Sequence, residues 1–133
     1  MMIAMRWRPR GAAVAALLLA AGCVAAAAGA GAAAGIYVTT RGVKSEVNQP
    51  PAELARRTDA AFGVLLIEVT ETRTAGSGRT VERRGRTGEY VVGVKIEGRD
   101  SASSTIEVEA RKSATSWDKD YARRVLTAIL EQP

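Results

Sequence analysis

The sequence predicts an α+β fold on two observations. Inward apolar positions alternate with outward ones in "EYVVGVKIEG" and "TIEVEAR", whereas "PAELARRTDAAF" and "WDKDYARRVLTAIL" carry apolar stripes at helical spacing. Turn-forming residues separate these segments. The expected order is β-α-β-β-β-β-α: an antiparallel sheet of about five strands, with both helices packed on one face.

The first strand lies in "TTRGVKSEVNQ", with Val43, Ser45 and Val47 inward and Lys44 and Glu46 outward. "NQPP" stops it and opens a helix, because a proline in the first turn lacks only a donor that the helix leaves unused. Leu54, Thr58, Ala61, Phe62 and Leu65 form its buried side, and Gly63 suits its exit. Leu65, Ile67 and Val69 then alternate with Leu66, Glu68 and Thr70. "TAGSG" is a turn, and "RTVERRGR" reads as a polar edge strand whose arginines discourage pairing with another chain. In the next two strands Tyr90, Val92, Val94, Ile96, Ile106, Val108 and Ala110 point inward. Glu89, Val91, Lys95, Glu97, Glu107, Glu109 and Arg111 point outward, with opposite charges available across the wet face. The last helix takes Thr115 or Ser116 as its cap and Trp117, Tyr121, Val125, Ala128 and Ile129 as its stripe.

Residues 11–40 carry no charge and are mostly Ala and Gly, whereas charges run evenly from Arg41 onward. The domain is therefore expected over residues 41–133. The chain holds 19 basic and 14 acidic residues; setting aside Arg6, Arg8 and Arg10 leaves 16 against 14, a net charge of +2. That is too small to steer polyanions in general.

Three arginines followed by an 11-residue apolar stretch, Gly11 to Ala21, have the layout of an export signal. "LAAGC" then looks like a bacterial lipobox, which makes residues 1–22 the signal peptide, places cleavage between Gly22 and Cys23, and makes Cys23 the lipidated first residue. Two or three acyl chains hold a protein durably where one does not. Residues 23–40 are read as an Ala/Gly tether. Two alternatives stand beside this: cleavage at an A-x-A triplet, giving a soluble periplasmic protein, or an uncleaved inner-membrane span. In a span, the spacing of Gly31 and Gly35 would let helices approach closely. Val24, where inner-membrane retention typically wants Asp, points to the outer membrane. The lone cysteine excludes an intramolecular disulfide.

The Ala/Gly segment leading into "GIYVTTRGVKSEVNQP", then "AELARRTDAAF" and "WDKDYARRVLTAI", resembles a family of small bacterial envelope lipoproteins, the domain of unknown function numbered 3568. The likeness spans most of residues 30–131. It is firmest at Gly35 and Tyr37, at the proline before the first helix, and at Asp118, Ala122, Val125 and Ile129. Trp117 stands where the family pattern has glycine. The resemblance implies lipoprotein status and this fold, and brings no activity or catalytic residues.

The chain has no histidine, which removes His-based triads, most zinc sites and the usual neutral-pH acid–base group. Glu107 and Glu109 share a strand face, and Asp118 and Asp120 favour a helix start without facing each other. Ser101, Ser103 and Ser104 have no base beside them, and "GSG" at 76–78 lacks the lysine and helix of a phosphate loop. No enzyme, cofactor or metal is expected. The uneven feature is Arg73, Arg79, Arg83, Arg84 and Arg86, read as a candidate site for an anionic envelope lipid or an acidic protein. Nucleic acid is disfavoured, since no aromatics interleave the arginines.

Overall fold

Six antiparallel strands and two helices make up the computed structural model, which describes residues 35–133. The strands are β1 (Ile36–Val38), β2 (Gly42–Val47), β3 (Glu68–Ala75), β4 (Thr80–Thr87), β5 (Tyr90–Gly98) and β6 (Ser104–Arg111). The helices are α1 (Pro51–Val64) and α2 (Lys119–Glu131). The sheet order is β1-β2-β6-β5-β4-β3, so β2 pairs with β6 across the middle while β3 to β6 follow as successive hairpins. The signal segment, Cys23 and Gly31 lie outside the described residues.

Both helices cover one face of the sheet. Val43 and Val47 of β2, Val92, Val94 and Ile96 of β5, and Ile106, Val108 and Ala110 of β6 meet Leu54, Ala61 and Phe62 of α1 and Val125, Leu126 and Ile129 of α2. Among the described residues the buried polar side chains are all satisfied. Ser45 Oγ donates to the Gly35 carbonyl (2.7 Å), Ser104 Oγ to the Gln49 carbonyl (2.8 Å) and Thr58 Oγ1 to the Leu54 carbonyl (2.7 Å). An unpartnered hydroxyl would carry a desolvation cost at each place.

The structure corrects the sequence reading in several places. The sheet has six strands instead of five, because Ile36–Val38, within the stretch read as tether, pairs with β2 in a tight hairpin. Ile36 packs on the core while Tyr37 and Val38 stay more than half exposed, so one inward side chain and a short ladder hold this edge. The arginine-bearing strand β4 is interior, and the edge belongs to β3. A bulge at Thr70, between Val69↔Gly85 and Glu71↔Arg84, shifts the alternation of β3. Val69 is 44% exposed at this end of the edge strand.

Gly63 does not end α1. The left-handed residue is Leu66 (φ 57°), with Leu66 N–H donating to the Gly63 carbonyl and Ile67 N–H to the Phe62 carbonyl. These are the two bonds of a Schellman ending, placed three residues later than the glycine.

The cap of α2 is Asp118 in place of Thr115 or Ser116: its Oδ1 accepts from Tyr121 N–H at 2.9 Å. Its Oδ2 accepts from the Tyr90 hydroxyl at 2.8 Å, and the Tyr90 and Tyr121 rings stack 4.0 Å apart. Trp117 leaves the helical stripe altogether, because it bridges to Arg111 at the end of β6 before the helix begins.

Candidate functional site

With both helices on one side, no element among the described residues covers the other face of the sheet, and the strand register decides which charges meet there. Directly opposed residues in antiparallel strands share a face. One row runs Arg73–Glu82–Lys95–Glu107–Lys44 across β3, β4, β5, β6 and β2, with the sign alternating at every step. The neighbouring row runs Glu71–Arg84–Gly93–Glu109–Gly42. A third runs Arg86–Val91–Arg111 and continues to Trp117.

Gly93 interrupts the middle row. A Cβ added there would have nothing within 4 Å, so bare backbone forms the floor of a depression between Arg84 and Glu109. On one side lies an open hollow of about 280 Å³ with Glu82, Arg84, Lys95, Glu107 and Glu109 on its walls. On the other lies one of about 260 Å³ bounded by Arg41, Arg84, Glu109, Arg111 and Trp117. The first mixes acids and bases; the second holds three guanidinium groups against one carboxylate.

The arginines singled out from the sequence do not gather. Arg83 faces the helices, where its guanidinium takes both carboxylate oxygens of Asp59 (2.9 and 3.3 Å) with 13% of its side chain exposed. It ties α1 to the sheet. Arg79 sits at the β3–β4 turn and donates to the Gly98 carbonyl, and Arg73 pairs with Glu71. Arg84 and Arg86 lie on the open face, in different rows. Sequence reasoning missed Arg41, Arg111 and the place of Trp117, which come from three separated segments.

Lys95 is held above its ordinary range, first by its hydrogen bond to Glu97 and then by the charge of that group, at a separation of 3.1 Å. Among the described residues no three His, Cys, Asp or Glu side chains come together to hold a metal ion. No helix among them is long and apolar enough to cross a membrane. No family model matches the chain, and no curated protein matches it.

Proposed function

We propose that the chain is a lipid-anchored protein of the bacterial envelope, related to the family it resembles, whose domain has no catalytic task and works by contact through its open sheet face. The contact reading is carried by one observation: both helices pack on one side, and no element among the described residues covers the charged face of the sheet. The anchor rests on "LAAGC" and the arginines ahead of it. Thirteen peptide steps separate Cys23 from Ile36, at most ~45 Å of extended chain, so the domain would work close to the membrane that holds it.

Intact mass of the protein extracted from membranes tests the anchor. The expected species has lost residues 1–22 and gained diacylglycerol and acyl mass on Cys23, and Cys23→Ala abolishes that gain. A mass that retains Met1 would establish the uncleaved span instead. Cleavage after an A-x-A triplet without added lipid would make the protein a soluble periplasmic one. The contact reading is tested separately, by variants of the open face.

A further inference from the structure

We infer that the hollow between Arg41, Arg84, Arg111 and Trp117 is a binding site for a phosphate monoester. The inference rests on the reading of the open face as a contact surface and is independent of the lipid anchor.

The Cζ atoms of Arg41 and Arg111 lie 5.2 and 5.9 Å from the centroid of the single Trp117 ring. Contact with an aromatic face restrains a guanidinium while leaving its in-plane N–H groups free, which is the geometry that grips a phosphate through paired hydrogen bonds. Neither of these arginines, nor Arg84, makes an ion pair among the described residues. Elsewhere on the face the register sets each cation beside an acid. Here Arg111 stands between Val91 and Trp117 in register. The three cations of the hollow meet Glu109, with Glu71 opposite Arg84 as the second acid, so positive charge exceeds negative by one. A phosphate monoester carries about −1.5 to −2 at neutral pH and three terminal oxygens, which suits a cluster of three guanidinium donors.

The floor contributes as well. Gly93 stands next to Arg84 in register and leaves room for an anion to settle between the side chains instead of resting above them. Trp117 is held at the wall by its bridge to Arg111, where a residue in the following helix would turn toward the core.

The test uses the full-length chain in detergent with Trp7→Phe, which leaves Trp117 as the sole tryptophan. Trp117 emission is followed while inorganic phosphate or glycerol 3-phosphate is added at constant ionic strength. A saturable change is expected, weakened at least tenfold by Arg41→Gln, Arg84→Gln or Arg111→Gln. Arg41→Lys should weaken it too, since an ammonium keeps the charge and loses the fork. Arg79→Gln and Arg123→Gln should stay within twofold of the parent.

Glu109→Gln should tighten binding several-fold by removing the carboxylate that lines the hollow, an effect that unfolding cannot imitate. An absent or non-saturable response overturns the proposal. So does an Arg79→Gln effect as large as that of Arg84→Gln, or a Glu109→Gln variant that binds no tighter. Dihexanoyl phosphatidic acid, used as a monomer, separates the sources of the phosphate. Binding tenfold tighter than glycerol 3-phosphate identifies a lipid headgroup, and equal binding a soluble phosphate ester.

Discussion

Leu66 occupies a conformation that costs an L-residue roughly 1–2 kcal/mol, and does so with 83% of its surface exposed. The Schellman bonds of α1 impose it, because Ile67 must fold back to bury itself near Phe62. Leu66→Gly should therefore stabilise the protein by about 1 kcal/mol, seen as a higher urea midpoint with unchanged slope. At the other end of the sheet, the Tyr121 amide and then the Tyr90 hydroxyl hold the Asp118 carboxyl below its ordinary range. Its contribution is complete above the usual aspartate range and disappears as pH falls through the depressed value. Tyr90, raised chiefly by the same hydrogen bond, contributes below pH ~10 and loses that contribution as pH rises past it. Urea midpoints across pH should show both limbs. Asp118→Asn should flatten the acid limb and Tyr90→Phe the alkaline one.

Helix α1 begins with prolines and no side-chain cap, and Glu53 in its first turn takes Arg56 and Arg57 as partners. Those hydrogen bonds hold the Glu53 carboxyl down to about 2. Arg57 also reaches the Leu130 carbonyl, supplying from outside the basic group that the last turn of α2 lacks. The join between α1 and the sheet is tighter. A Cβ at Gly85 would come within 2.4 Å of Ile67 Cγ2 and 3.0 Å of Phe62 Cε2. Gly85→Ala should cost roughly 1–3 kcal/mol in denaturant unfolding, because a packed core must shift to admit one methyl group. Gly93→Ala, with open space around its Cβ, is the matched control, and its cost should be well under 1 kcal/mol.

Across the whole molecule, the pairing of β2 with β6 joins segments some sixty residues apart and closes the sheet beneath both helices. The same pairing lines up the alternating charges of the open face. Reversing one sign tests that order. Lys95→Glu would place a carboxylate between Glu82 and Glu107 and beside Glu97, and should destabilise the fold by about 1 kcal/mol at low ionic strength. At ~1 M salt, where charges are screened within about 3 Å, most of that difference should vanish from the thermal or urea midpoint.

Residue pattern alone determined that β5 and β6 are strands, that α1 and α2 are helices, and which side of each faces the core. Burial of one face makes the period of apolar residues visible in the chain itself. β1 was not legible, since only Ile36 turns toward the core and Tyr37 and Val38 look outward like residues of a linker. The true ends of the helices were hidden as well. Leu66 takes a left-handed conformation that no local propensity marks. Thr115, Ser116 and Asp118 all suit a cap, so only the bond from Tyr121 N–H to Asp118 decides between them. Sequence proximity suggested that Arg79, Arg83, Arg84 and Arg86 work together, but side chains alternate along a strand, and Arg83 was sent to Asp59 on the far side. Only the tertiary structure brought Arg41, Arg84 and Arg111 to one hollow beside Trp117. Which charges share a neighbourhood depends on strand order and register, and those are set by the packing of the opposite face.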